Sequence, residues 1–344
     1  MSVFLAHSCG QPAVVGSCSG NFYALDRDTG RVRWSYDIKQ DGNQNSFHGD
    51  PLVTGDLILI GTDAGRQGHV YAFERTMGKV RWKYLAWSGV ADDVGVASDI
   101  VRRGKYVYAV AQGDELLCLN LTDGSVLWTF SSKFDRKKFA WSNSPVLEGN
   151  LVLFGGLDGR VYAIHADSGK VVWQTDLHSP ISTTPAISHG SIYVGSKDNH
   201  FYRLQLNDGA VISSIALDGL PWWHINIVGN SLLTFLYHPA RRVAGKTFEP
   251  SDIVSIDLDL KRVQWVRKCP DDSDPWTSAR PYVFKGDVLV GDDRGKLFAL
   301  HHNDGSIAWS HQFPSRVIRG IGESNGTLYV GTIHGMVYAF LPGK

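Results

Sequence analysis

This 344-residue chain is short of cysteine, with four, and of methionine, with three, and carries no net charge. Thirty-four Lys plus Arg balance thirty-four Asp plus Glu, so no net field draws it to nucleic acid, and no nucleic-acid partner is expected. No apolar run approaches the roughly 20 residues of a membrane-spanning helix, so membrane insertion is not expected either. The first residues, Met1-Ser2-Val3-Phe4-Leu5-Ala6-His7, lack the basic and long apolar regions of a signal peptide. As written, the chain reads as cytoplasmic; with a leader removed upstream, it would be periplasmic or extracellular. Cys9, Cys18, Cys118 and Cys269 show no CxxC or other metal-ligand spacing, and no metal site is expected. Cys18 and Cys118 read as small buried hydrophobes on or beside strands, with a Cys9–Cys18 disulfide as the alternative.

What the chain does have is 37 Gly, 11 Trp and 13 Tyr, a composition of strands and tight turns. An internal repeat organises them. Phe22-Tyr23-Ala24-Leu25-Asp26 is followed by Thr29-Gly30 and Trp34. The phrase returns at Val70-Tyr71-Ala72-Phe73 with Gly78 and Trp82, and at Leu117-Cys118-Leu119-Asn120 with Gly124 and Trp128. It returns again at Val161-Tyr162-Ala163-Ile164 with Gly169 and Trp173, and at Leu297-Phe298-Ala299-Leu300 with Gly305 and Trp309. Two copies are worn. Phe201-Tyr202-Arg203-Leu204 keeps Gly209 but has Ser213 for the tryptophan; Ile253-Val254-Ser255-Ile256-Asp257 keeps Trp265 but has Lys261 for the glycine. The last, Val337-Tyr338-Ala339-Phe340, has no tryptophan strand after it.

Each phrase follows a short apolar run ending in Gly, such as Leu59-Ile60-Gly61 or Tyr193-Val194-Gly195. Four strands per unit result, here called A to D from the hub outward, with a C–D hairpin turned at the glycine. The tryptophan-to-tryptophan spacing of roughly 45 residues fits a four-stranded, WD-like blade. A lone blade leaves its faces bare; stacking in a closed ring covers them. The expectation is an all-β fold, one β-propeller domain over 1–344. It has eight blades, seven complete and one lacking strand D, or with that strand supplied from flanking sequence. The repeat tryptophans are expected to pack between blades.

The Tyr-Ala-Leu-Asp…Thr-Gly…Trp phrase resembles the repeat of the pyrroloquinoline-quinone-type (PQQ-like) propellers. That superfamily includes quinoprotein dehydrogenases and the outer-membrane assembly factor of the β-barrel insertion machinery. The resemblance runs over essentially the whole chain and implies the fold; it does not fix the function, because propellers host unrelated activities.

Topology places the D–A connections and B–C loops on one face and the short A–B and C–D turns on the other. The first face carries Phe47-His48, Asp92-Asp93, Trp141, Asn143, His178, Trp222-Trp223-His224, Trp276, Arg316 and Arg319 near the start of the hub-lining strands. The unusually long B–C connection from Tyr237 to Pro250, with His238, Arg241, Arg242 and Gly245, would fold over the channel mouth on the same face. Asp26-Arg27-Asp28-Thr29-Gly30 reads as a hairpin turn rather than a calcium loop, and Asp271-Asp272-Ser273-Asp274 as a solvated acidic loop ahead of a cation site.

Three functions compete. The first is a non-catalytic scaffold binding a small molecule, peptide or protein on the loop face, with Trp141, Asn143, Trp222, Trp223, His238, Arg241, Trp276 and Arg316 as binding residues. The second is a lyase or hydrolase on a carbohydrate or other polar small molecule, with His48, His178 and His224 transferring protons and Arg319 stabilising negative charge. The third, a PQQ-dependent dehydrogenase with calcium, fits least: the resemblance implies a longer chain with adjacent cysteines, and no two cysteines here are adjacent. No cofactor is expected, and the scaffold is the leading reading.

Overall fold

The repeated turn sets the local geometry. Asp26 Oδ1 accepts hydrogen bonds from the N–H groups of Asp28 at 3.2 Å and Thr29 at 2.9 Å, and from the Thr29 hydroxyl at 2.8 Å. The Arg33 guanidinium, hydrogen-bonded to the same carboxylate, holds it well below the usual carboxylate range. Gly30 closes the turn at φ +68°, donating to the Asp26 carbonyl at 2.8 Å. A side chain resists that conformation, which is why the phrase keeps its glycine. This segment is a hairpin turn, as the sequence implied.

The structure, a computed structural model, describes residues 2–5, 12–16, 20–42, 46–63, 65–88, 95–134, 143–239, 241–243, 246–248, 251–268, 281–292, 294–324, 326–332 and 336–341. Of 2–5, 241–243, 246–248, 318, 319, 324 and 340 it describes the backbone alone. Among the described residues the strands form eight antiparallel blade sheets and one further two-stranded sheet. Blade 1 runs Ser2–Leu5, Ala13–Gly16, Asn21–Leu25 and Val32–Asp37 from hub to rim. Blades 2 to 7 repeat this, with hub strands Leu52–Thr54, Val101–Arg103, Val146–Glu148, Ala186–Ser188, Leu220–Val228 and Tyr282–Phe284. Blade 8 has three strands, Val317–Ser324, Thr327–Thr332 and Val337–Phe340. Its hub strand lies against that of blade 1 and closes the ring. Helix among the described residues is limited to a 3-10 turn at Ile38–Asp41.

The core lies between blades. Phe22, Ala24 and Trp34 of blade 1 meet Ile58, Ile60, Tyr71 and Phe73 of blade 2, and the pattern recurs around the ring. Five of the repeat tryptophans bridge to the next blade through the indole N–H. Trp34 Nε1 donates to the Arg75 carbonyl at 2.9 Å, Trp82 to Leu121 at 2.8 Å, Trp128 to Ala166 at 2.9 Å, Trp173 to Leu206 at 3.0 Å and Trp265 to His302 at 2.9 Å. The ring also covers the neighbour's turn glycine: a Cβ on Gly78 would come within 2.4 Å of Trp34, and one on Gly124 within 2.6 Å of Trp82. The glycine thus serves the turn and the socket together.

The two worn copies prove to be partners. Ser213, in the tryptophan position of blade 5, donates its hydroxyl to the Asp259 carbonyl of blade 6 at 3.1 Å. In that turn Leu260 takes the left-handed conformation at φ +55° and is buried, 4% exposed, between the two blades. A large side chain has crossed the interface: indole over glycine elsewhere, serine under leucine here. Cys118, as expected, is a fully buried strand residue, and burial pushes its thiol up to about 12. Cys9, Cys18 and Cys269 lie outside the described residues.

Candidate functional site

The starts of the hub strands are tied to one another in sequence around the ring. Asp50 N–H donates to Asp99 Oδ1 at 2.8 Å, Asp99 N–H to Ser144 Oγ at 2.8 Å, and Ser144 N–H to Thr184 Oγ1 at 3.2 Å. Thr184 N–H donates to the Trp223 carbonyl at 2.6 Å, and Asn226 Nδ2 to the Pro281 carbonyl at 2.6 Å. This belt binds blades 2 to 7 at the channel mouth and fixes the backbone on which the half-buried Trp222 and Trp223 stand.

The most distinctive stretch of the belt is Pro221-Trp222-Trp223-His224. Pairing between hub strand and next strand is interrupted from Trp222 to Asn226, so the intervening residues leave the ladder. Trp223 sits at φ +71°, a conformation that costs a bulky residue free energy and persists only where neighbours enforce it. They do: its N–H donates to the Ser182 carbonyl at 3.0 Å and its carbonyl receives Thr184 N–H. The Trp223 ring stacks on His224 at 6.2 Å between centroids and 6° between planes. Trp222 meets Tyr237 edge-on at 6.1 Å, and Lys197 Nζ lies 5.7 Å from the Trp222 ring centre.

A small cavity opens here, lined by Asn143, Ile181, Ser182, Trp222 and Trp223 from D–A connections and hub strands, and by Leu157 and Lys197 from B–C loops. The two loop classes share one face, as topology required. The cavity holds about one water, too little for a substrate. Beside it, His238 Nε2 and Asp252 Oδ2 pair at 3.0 Å across the base of the long blade-6 connection. Within that connection Arg241–Val243 pairs with Lys246–Phe248 as a two-stranded sheet of its own.

The remaining expected residues separate. His48 is held by Asp63, Nδ1 to Oδ2 2.5 Å, with Ser46 Oγ donating to Asp63 Oδ1 at 2.8 Å. It belongs to blade 2, across the ring from His224 of blade 6. His178 stands two residues beyond the outermost strand Val171–Asp176, its side chain 87% exposed and beside Asp176. A D–A connection starts at the rim and reaches the hub only at its end, so His178 does not join the mouth. Asn143 is buried, and its Nδ2 donates to the carbonyls of Gly155 at 3.2 Å and Ile181 at 2.8 Å; it fastens blade 4 to blade 5 rather than offering those donors to a ligand. Phe47 is core, packed on Phe22 at 5.3 Å. Arg316 is half-buried just before the hub strand of blade 8, and Arg319 lies on that strand. Trp141, Trp276, Asp92, Asp93, Gly245 and Asp271 to Asp274 lie outside the described residues. The sequence reading missed Lys197 and Ser182; only the convergence of B–C and D–A loops marks them.

Among the described residues no group of three His, Cys, Asp or Glu is arranged for a metal, and the one described cysteine is a buried strand residue.

The sequence matches the family described as outer membrane protein assembly factor BamB over residues 5–215, 118–247 and 249–341. The chain belongs to this family. A relative from Yersinia pestis, outer membrane protein assembly factor BamB, is 22% identical over 332 residues, covering 92% of this chain and 79% of that protein. An enzyme, tetrathionate hydrolase of Acidithiobacillus ferrooxidans, is 20% identical over 326 residues, covering 91% of this chain and 58% of that one. The crystal structure of BamB from Moraxella catarrhalis superposes with a TM-score of 0.74 at 17% identity, covering 98% of this chain and 95% of that one. The family thus fixes the fold, while the enzyme among these relatives leaves activity to be argued from the site.

Proposed function

We propose that this chain is a non-catalytic scaffold that binds a protein segment at the mouth formed by blades 4 to 6, and that it serves the assembly of outer-membrane proteins from the periplasmic side. The family supports the setting, and no helix among the described residues is long and apolar enough to cross a membrane. The observation that carries the binding site is Trp223, locked in a left-handed conformation between two backbone hydrogen bonds beside half-buried Trp222. Rigid aromatics on a fixed backbone bind extended partners at low entropic cost. One feature favours a protein over a small molecule: the adjoining cavity admits about one water. The histidines and arginine of the enzyme reading stand in blades 2, 6 and 8 and at the rim, which argues against a shared catalytic centre.

The test is photo-crosslinking from two positions of one blade. A photoreactive residue replacing Lys197, in the B–C loop of blade 5, is expected to give protein-sized adducts in cells. The same residue replacing Asp208, in the C–D turn on the opposite face, is expected to give none. Equal adducts from both, or none from Lys197, would refute the proposal.

A further inference from the structure

The joint between blades 5 and 6 is closed by different means at its two ends. At the rim, five other joints carry an indole over the neighbouring turn. Here the strand His200–Gln205 places Arg203 where blades 1, 2, 4 and 7 have the alanine that pairs with the tryptophan. Arg203 pairs in register with Ser213, and its guanidinium reaches across the joint. Nη1 donates to Asp259 Oδ1 at 2.8 Å, while Nε donates to Ser191 Oγ of its own blade at 3.0 Å. Lys261 Nζ lies 3.4 Å from the other Asp259 oxygen, and Asp257 accepts from the N–H groups of Lys261 and Arg262 in its own turn. The clasp is open to water, with the Asp259 side chain 57% exposed and that of Arg203 23%.

At the hub the same joint is knit through the backbone. Thr183, entering blade 5, bridges in parallel to Trp223 of blade 6. Trp223 N–H donates to the Ser182 carbonyl at 3.0 Å, Thr184 N–H to the Trp223 carbonyl at 2.6 Å, and Ser182 Oγ to the Pro221 carbonyl at 2.6 Å. A Cβ on Gly195 of blade 5 would come within 2.7 Å of Pro221, so the blades approach as closely as glycine allows. Leu260 fills the apolar middle of the joint. Backbone bonds thus fix the hub end, while the rim end rests on an exposed ion pair, which contributes little and is screened by salt. Two sheets held firmly at one end and weakly at the other can swing about the firm end.

We propose that blades 5 and 6 form a hinge, pivoted where Ser182 meets Trp223 and closed at the rim by Arg203 on Asp259, and that it regulates the mouth. Lys197 belongs to blade 5 and Trp222 to blade 6, with 5.7 Å from amine to ring centre, so the mouth spans the joint. A partner seated on both blades favours the closed joint, and by linkage closure of the joint favours the partner. That last step rests on the mouth being the binding surface; the hinge itself does not.

Iodoacetamide labelling of the whole chain, read by peptide mass mapping, follows the hinge without a partner. Ser213→Cys places a thiol at the half-buried rim of this joint, beside the Asp259 carbonyl. Thr175→Cys places one at the neighbouring indole joint, where the half-buried Thr175 donates its hydroxyl to the Gly209 carbonyl at 2.7 Å. Raising salt to about 1 M, where the screening length is about 3 Å, should speed labelling at 213 about two- to fivefold and leave 175 unchanged. Arg203→Gln should give the faster rate at low salt, and Arg203→Asp combined with Asp259→Arg should restore the slow one. The photo-adduct from position 197 should fall by a similar factor in Arg203→Gln and return in the exchanged pair. Equal salt responses at 213 and 175, a rate at 213 indifferent to Arg203→Gln, or an exchanged pair that stays fast would overturn the hinge. An adduct unchanged by Arg203→Gln would overturn its hold on the mouth.

Discussion

Exchanging the indole clamp between blades 2 and 3 for the serine–leucine arrangement of blades 5 and 6 gives a quantitative test of how the ring holds together. Trp82 is 7% exposed, covers Gly124 and donates to the Leu121 carbonyl at 2.8 Å. Trp82→Ser removes that burial and should cost about 3–5 kcal/mol, the range for deleting a large buried aromatic. Gly124→Leu alone should also destabilise. Its Cβ falls 2.6 Å from the indole at φ +72°, so overpacking of about 1–3 kcal/mol adds to left-handed strain of about 1–2 kcal/mol. Together, however, the leucine enters the space the indole vacated, as Leu260 does above Ser213. The double variant should therefore be more stable than the sum of the singles by about 2 kcal/mol, within the usual span of contact couplings. Urea unfolding of all four proteins, followed by far-ultraviolet circular dichroism, measures this. Additivity to within about 0.5 kcal/mol would refute the reciprocal-packing reasoning.

Other consequences follow from single residues. Burial lowers the His69 pKa from 6.5, with Lys83 adding to the effect. The folded chain thus favours the neutral ring, and that contribution is complete above pH 6.5 and is lost as pH falls through the lowered folded value. His69→Gln should flatten the fall in urea midpoint between about pH 7 and 5, and an unchanged slope would contradict this. Cys118, buried and raised to about 12, should resist alkylation in the folded chain and label on unfolding, as read by peptide mass mapping. Asp41 accepts from the hydroxyls of Tyr36 at 2.6 Å and Tyr71 at 3.0 Å and pairs with Lys83. Burial opposes its charge, but these donors hold its pKa below the usual value. Asp41→Ala should cost about 1–3 kcal/mol in thermal or urea unfolding.

The ring was legible in sequence because its physics repeats: a left-handed turn needs glycine, an interblade socket needs tryptophan, and the two recur together. The three-stranded eighth blade could be read for the same reason. The link between Ser213 and blade 6 could not, because its acceptor is the Asp259 carbonyl, in a turn whose left-handed residue is Leu260, one residue before the substituted glycine position. The long blade-6 connection was visible as length, but not as a hairpin, since three residues on either side of Ala244-Gly245 are too few for a period-2 signal. Topology gathered the D–A connections and B–C loops on one face, where Trp222 and Trp223 line the small cavity. It failed for His178, because nearness in sequence to a hub strand is not nearness in space when the connection begins at the rim. Asn143 does line the cavity, but its amide donors serve two backbone carbonyls that only the folded ring supplies.

The most direct measurement of the binding role is crosslinking from position 197 in a Trp222→Ala, Trp223→Gly variant beside the parent chain. Glycine tolerates the left-handed backbone at 223, so the urea midpoint should stay close to that of the parent while the protein adduct disappears. Undiminished crosslinking with both tryptophans gone, in a chain that still folds, would contradict the assignment of the mouth as the binding surface.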